Sequence, residues 1–252
     1  MNFSPCLDIF FKNLPFNKRI EAIANLGYKN FEFWTWWDKN MDEVAEVSQK
    51  FDVRPVAYCT KFISLVDKTK RPNYIEALAE TIENTKKTGT KVIISQVGDE
   101  LPDTLRETQV ESLVDGLKES AKLLDGTDIT LAIEPLNTYY DHKGYFLYSS
   151  EEAADILKAV DSPNVKMLFD VYHQQIMEGN LVNNIKKYID YIAHFHIADV
   201  PGRHEIGSGE INYPNIFNAI KETRYNGCIG IEFFPLNTVH KEVLHDPLFL
   251  KN

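Results

Sequence analysis

Four side chains able to hold a metal or move a proton fall inside otherwise apolar segments of the chain. Glu134 stands in the run Ile-Glu-Pro-Leu-Asn, Asp170 in Leu-Phe-Asp-Val-Tyr, His196 in His-Phe-His-Ile and Glu232 in Gly-Ile-Glu-Phe-Phe. A residue serving only to fill a core would be Val, Ile or Leu at these positions. An unpaired buried carboxylate costs several kcal/mol, so burying three of them demands compensation. A divalent cation supplies it. Three carboxylates and one imidazole make a hard, mostly oxygen donor set, suited to Mn²⁺ or Mg²⁺ and acceptable to Co²⁺ or Zn²⁺. Any one of these residues alone could equally serve as a salt-bridge or capping partner. Their recurrence on successive apolar runs is what points to a shared site.

The stretch His194 to Tyr213, HFHIADVPGRHEIGSGEINY, extends the pattern. Strand alternation puts His194 and His196 on one face. His194 is then either a further ligand or a hydrogen-bonded core histidine. The run breaks at Pro201-Gly202 into a polar loop carrying Arg203, His204, Glu205 and Glu210. A strand that aims a histidine at a charged, glycine-punctuated loop is where a barrel enzyme keeps its chemistry. The Arg203 guanidinium fork suits a carboxylate of a ligand, or else a loop salt bridge to Glu205 or Glu210. Earlier, FEFWTWWDKN alternates Glu32 with aromatic residues and places Trp34 and Trp36 on its face. This reads either as an aromatic wall shielding a site or as packing on a neighbouring subunit or under a loop. Tyr58 and Lys61 lie where they could reach the same mouth. His142, His240 and His245 sit in polar or terminal segments and are expected to be solvated.

These residues must be positioned by the elements around them. Apolar runs expected as strands fall at 3–11, 30–35, 53–59, 91–97, 130–136, 165–171, 192–199 and 228–234. Amphipathic helical segments follow at 18–26, 41–51, 72–88, 104–124, 150–160, 181–188 and 214–223, with a weaker one at 241–250. Gly27 and Gly89 are placed to stop helices, and Ser149 or Ser150 to start one whose first turn is acidic. Apolar strands separated by helices suit a parallel sheet buried on both faces. Eight such units in 252 residues predict an α/β protein, a single-domain (β/α)8 TIM barrel over residues 1–252. The rival is a doubly wound open sheet, which needs no fixed count of eight. No glycine-rich phosphate loop follows the first strand, and no linker-like stretch marks a domain boundary.

The net charge of −10, from 37 acidic and 27 basic residues, disfavours nonspecific binding to nucleic acid or membrane. Cys6, Cys59 and Cys228 are far apart in no metal or redox spacing, and are expected to be reduced and buried. No signal-peptide pattern and no membrane-length apolar run is present, so a soluble cytoplasmic protein is expected.

The motifs IEPLN, FDVYHQQ, HFHIADVPGRHEIGSGEINYP and GIEFFP, in this order, resemble the xylose-isomerase-like barrel superfamily. The nearest branch is similar to the hydroxypyruvate isomerases and 2-oxo-tetronate isomerases, with the ketose 3-epimerases further off. The resemblance is strongest from Glu134 onward, and the loop P-G-R-H-E-x-G-S-G-E-I-N-Y is its most specific piece. It implies an isomerase in which Glu134, Asp170, His196 and Glu232 bind the metal and Glu134 and Glu232 also form the acid/base pair. It implies that His173 and Arg203 hold substrate oxygens, and that Glu205 orients His173 or the substrate. The substrate implied is a small hydroxy-carbonyl compound, isomerised through an enediolate, and homo-oligomerisation is compatible with it. Other outcomes within the resemblance are a ketose 3-epimerase, an abasic-site endonuclease or a noncatalytic sugar-acid binding protein. Two positions depart from the hydroxypyruvate isomerases. Glutamine commonly stands there at the place of His196, and lysine often stands at the place of Phe234. The additional glutamate of the epimerases has no counterpart in Thr138 to Tyr140.

Overall fold

A computed structural model describes residues 1–236 and 239–245. Its strands are β1 (Asn2–Pro5), β2 (Asn30–Glu32), β3 (Arg54–Cys59), β4 (Val92–Ser95), β5 (Thr130–Ile133), β6 (Val165–Asp170), β7 (Ile192–Ile197) and β8 (Cys228–Ile231). They pair in the order β1-β8-β7-β6-β5-β4-β3-β2, and every paired register is parallel. A parallel bridge between Cys6 and Glu32 brings β1 back against β2. The sheet therefore curls into the expected single-domain (β/α)8 barrel rather than the open sheet. The helices are α1 (Phe16–Asn25), α2 (Met41–Lys50), α3 (Arg71–Thr88), α4 (Arg106–Leu124), α5 (Ser150–Val160), α6 (Val171–Met177), α7 (Leu181–Tyr188), α8 (Tyr213–Lys221) and α9 (His240–Leu244).

Local chemistry sets the helix limits. Asn40 caps α2 by accepting from the Asp42 and Glu43 amides, and Ser149 caps α5 by accepting from those of Glu151 and Glu152. Gly89 ends α3 in the left-handed conformation, at φ 72°.

The strand ends depart from the sequence expectation in an informative way. The run 3–11 is extended only to Pro5. The amides of Ile9 and Phe10 then turn back to the Cys6 carbonyl, and Phe10 packs edge-on against Phe233 and His240. Its apolar character comes from a buried turn, not a longer strand. β2 likewise ends at Glu32, where its register against β3 shifts. The helix α6 was not expected at all. Its N-cap is Asp170 itself, whose Oδ1 accepts from the Tyr172 and His173 amides at 2.8 and 3.2 Å. Of the weak helix at 241–250, residues 246–250 lie outside the described residues.

Cys6 and Cys59 are buried and unpaired as expected, while Cys228 is partly exposed. Among the described residues, no helix is long and apolar enough to cross a membrane.

Candidate active site

Parallel registry brings the four chemistry-bearing residues to one level at the C-terminal end of the barrel. Asp170 on β6 pairs in register with His196 on β7. Glu134 directly follows β5 and Glu232 directly follows β8, their amides bonded to the Ser95 and Ile197 carbonyls. His196 Nδ1 lies 3.1 Å from Glu232 Oε2, 3.7 Å from Glu134 Oε1 and 4.0 Å from Asp170 Oδ2. All four are buried, with one donor atom of each within 4.8 Å of the others. Neither ring nitrogen of His196 makes a hydrogen bond, so its close contacts are not aligned as such bonds.

The electrostatics show a shortage of positive charge. Burial raises the Glu134 carboxyl, and its neighbours Glu232 and Asp170 add to the rise against the pull of His196. Asp170 is raised by burial too, and Arg203 and His196 only partly offset this. Glu232 goes the other way. Burial opposes its ionisation, but His196 and Arg203 beside it hold it well below the usual carboxylate range. Against burial, Glu232, Glu32 and Glu134 push the His196 imidazole well up. Three carboxylates converging on an imidazole with no hydrogen-bond partner are the donor set a divalent cation fits.

Around this cluster the β7 loop places Arg203. Its Nη2 pairs with Glu232 Oε2 and lies 3.8 Å from Asp170 Oδ2, while its buried Nε has no partner. The loop is built on Asp199, whose carboxylate accepts from the amides of Val200, Gly207, Gly209 and Ile211. A Cβ on Gly209 would collide with the Val200 carbonyl, which explains one glycine of the Gly-Ser-Gly motif. Arg203 itself sits at φ 59°, a left-handed conformation that side chains adopt only when the surroundings hold them there. The Phe234 amide bonds its carbonyl and ties this loop to the β8 loop.

His173 is held from behind by Asn137. Its Nδ1 receives the Asn137 backbone amide at 3.2 Å and the side-chain amide at 2.7 Å. The Asn137 side-chain oxygen accepts from the amides of Tyr140 and Asp141, which identifies its nitrogen as the donor to the ring. Nδ1 is therefore the acceptor, and Nε2 carries the proton and makes no hydrogen bond, with Asp170 Oδ2 3.6 Å away. Burial, together with Arg203 and His142, pushes the ring well below the usual histidine range and keeps it neutral.

The resulting cavity, of about 200 Å³, is lined by Trp34, Phe62, Gln96 and His142 besides Glu134, His173, His196, Arg203 and Glu232. At about 30 Å³ per water it has room for a small metabolite. A wider depression of about 870 Å³ lies at the opposite, N-terminal end of the strands. There Lys91 and Lys186 are paired with Asp128 and Glu222, and Lys166 is bonded to the Asp190 carbonyl.

Several sequence expectations change. Trp34 lines the cavity and donates through Nε1 to Glu232 Oε1. Trp36 instead turns to Thr81 on α3, and Trp37 packs edge-on against Phe62 at the rim. The wall is thus Trp34 with Phe62, because the chain leaves the strand at Glu32 and alternation no longer applies. Glu205, expected to orient His173 or the substrate, is not among the residues lining the cavity. Its carboxylate accepts from the Leu236 amide and latches the β7 and β8 loops together. Tyr58 points outward to Thr85, and Lys61 pairs with Glu80, so neither reaches the mouth. His142, expected to be solvated, stands 5.4 Å from the His173 ring and faces the cavity. His194 is a core histidine, bonded to Glu32. His240 is half-buried among Phe10 and Phe11 and accepts from the Phe11 amide, whereas His245 is exposed. The fold adds Asn137, Asp199 and Gln96 to the site, of which the Asn in IEPLN and the Asp preceding the glycine loop belong to the sequence motifs.

A buried carboxylate–imidazole cluster at the C-terminal end of a (β/α)8 barrel, facing a small cavity, lies where TIM-barrel enzymes keep their active sites. The sequence profile described as "Xylose isomerase-like TIM barrel" matches residues 20–252, and the chain belongs to that family. It is 32% identical over 248 residues to a hydroxypyruvate isomerase of Escherichia coli strain K12, covering 94% of this chain and 95% of that one. It is 28% identical over 242 residues to a 2-oxo-tetronate isomerase of Pectobacterium atrosepticum, covering 92% of each. Among solved structures, a Brucella melitensis protein described as an AP endonuclease, family 2, superposes with a TM-score of 0.89 at 26% identity, covering 96% of each chain. The named relatives place the chain among the isomerases.

Proposed function

We propose that the protein is a divalent-cation-dependent isomerase of small hydroxy-carbonyl acids of the hydroxypyruvate or 2-oxo-tetronate type. The observation that carries this reading is the pair of buried glutamates, Glu134 and Glu232, facing one cavity and both close to His196 Nδ1, at 3.7 and 3.1 Å. Two carboxylates at one cavity can divide the acid and base roles of a proton shift between adjacent carbons. Glu134, Asp170, His196 and Glu232 would hold the cation, which would polarise the substrate carbonyl and stabilise the charge developing on it. Glu232, ionised and braced by Arg203 and Trp34, would take the proton from the carbon beside the carbonyl. Glu134 would return a proton to the neighbouring carbon, while the substrate hydroxyl proton would pass to the former carbonyl oxygen. The reverse reaction exchanges their parts. His173 Nε2–H and the Arg203 guanidinium would meet the enediolate oxygens, donors already in place and needing no rearrangement. Trp34 and Phe62 would keep bulk water from the intermediate.

A carboxylate-bearing substrate would find a cation in the exposed Lys12. Its Nζ lies 5.6 Å from the Phe234 ring centroid and 5.9 Å from that of Trp34, above the cavity wall. Lysine thus reaches, from the β1 loop, the neighbourhood where the hydroxypyruvate isomerases often carry one after the last strand. The presence of His196 rather than glutamine supports a second reading, a ketose 3-epimerase. Incubating the protein with hydroxypyruvate, 2-oxo-tetronate and ketohexoses in Mn²⁺ or chelator separates the two. Acid isomerisation that stops on chelation is expected. Turnover of ketohexoses alone would favour epimerisation, and nicking of abasic DNA without sugar turnover would overturn both readings.

A further inference from the structure

Below the cavity lies a charged group that the reaction just proposed leaves unused. Glu32, at the end of β2, is 2% exposed in the barrel interior. Its Oε2 accepts from Ser4 Oγ and pairs with His194 Nε2, each at 2.9 Å. Its Oε1 has no hydrogen bond and stands 3.0 Å from His196 Nε2. His196 is thus clasped, with Glu32 behind Nε2 and the cluster of Glu134, Asp170 and Glu232 in front of Nδ1. The clasp needs space that only glycine leaves. A Cβ on Gly230 would meet Glu32 Oε2 at 2.6 Å and His196 Cδ2 at 2.5 Å.

We infer that Glu32 is a positioning residue for the candidate metal centre: its Oε1 faces His196 Nε2 at 3.0 Å, not aligned as a hydrogen bond in the metal-free chain, and would take up the Nε2 proton as Nδ1 offers its lone pair to the cation. An imidazole can ligate through only one nitrogen while the other carries hydrogen, and the group facing that hydrogen selects the tautomer and ring angle. Ser4 and His194 fix Glu32 Oε2 and leave Oε1 for His196. Gly230 is the specificity of this arrangement written into β8, because any larger residue would push the carboxylate and the imidazole apart. The inference rests on the divalent-cation reading above.

The test uses the full chain and its Glu32→Gln variant, with Mn²⁺ affinity measured by titration and the Co²⁺-loaded protein examined by proton NMR. Loss of such an outer partner weakens metal binding about 10–100-fold. Glu32→Gln is expected to do so and to shift or lose the exchangeable, paramagnetically shifted N–H signal of His196. Gly230→Ala should act in the same direction. If Glu32→Gln does not fold, Glu32→Asp keeps the charge but withdraws it by one methylene, and the same two readouts decide. Affinity within twofold of the parent and an unchanged N–H signal would overturn the inference. So would binding of a second Mn²⁺ that Glu32→Gln abolishes, since Glu32, His194 and His196 would then be ligands. A parent chain that binds neither Mn²⁺ nor Co²⁺ would defeat the metal reading itself.

Discussion

Asp170→Asn separates the two jobs this residue holds. As N-cap of α6 it accepts from the Tyr172 and His173 amides, and asparagine caps about as well as aspartate. As a member of the carboxylate cluster it carries a charge that burial and Glu232 disfavour. The sign follows from linkage. Its folded-state pKa is raised above the unfolded value, so above both values its ionisation destabilises the metal-free fold. Removing the charge while keeping the cap should leave the metal-free Tm at neutral pH unchanged or raised. The metal response should move the other way. A cation binding the parent at a hundred times its Kd stabilises the fold by about 2.7 kcal/mol. At about 2–4 °C per kcal/mol for a chain of this size, Mn²⁺ should raise the parent Tm by roughly 5–11 °C over chelated protein. Asp170→Asn should lose most of that increment at the same Mn²⁺ concentration. Calorimetry of both proteins with chelator and with Mn²⁺ gives the four numbers. A variant that is less stable without metal yet keeps the full Mn²⁺ increment would refute the placement of Asp170 in the metal shell.

Three further outcomes follow from the geometry. Asn137→Ala removes both the side-chain donor to His173 Nδ1 and the acceptor for the Tyr140 and Asp141 amides, so kcat/KM should fall about tenfold or more, the equivalent of one lost hydrogen bond near 1.4 kcal/mol. Lys12→Met should raise KM for an acid substrate by roughly two- to fivefold, as expected for an exposed ion pair, and leave KM for a neutral ketose unchanged. Gly209→Ala drives a Cβ into the Val200 carbonyl, which should cost about 1–3 kcal/mol by denaturant titration and lower activity through displaced Arg203.

The barrel and the four cluster residues were legible because both are written in short-range pattern. A charged residue closing an apolar run, repeated from β5 through β8, requires no knowledge of distant contacts. The remaining parts depend on what the barrel brings together. Glu32 meets His194 across 162 positions of sequence, and nothing near it in the chain forecasts two histidines and a missing Cβ at Gly230. His142 looked like a loop residue because its neighbours are polar, yet the β5 loop folds over His173. Trp36 was misplaced because strand alternation was carried past Glu32, where the strand ends. The helix α6 leaves little trace in the sequence, because seven residues carry little periodicity and its cap, Asp170, closes an apolar strand. Asp199 shows the reverse case. The glycine-rich loop was recognisable as a motif, but the carboxylate gathering its amides became visible only with the fold.

The proposed reaction turns on proton transfer by two glutamates at the carbon beside a carbonyl. Its most direct measurement is NMR-detected exchange of that carbon-bound hydrogen with D₂O, using hydroxypyruvate and 2-oxo-tetronate with Mn²⁺, in the parent, Glu134→Gln and Glu232→Gln. The parent should incorporate deuterium during isomerisation, and each variant should lose at least 10²-fold in rate, the lower end of what a positioned acid or base contributes. Isomerisation without solvent deuterium in the product, or near-parental exchange in both variants, would contradict it.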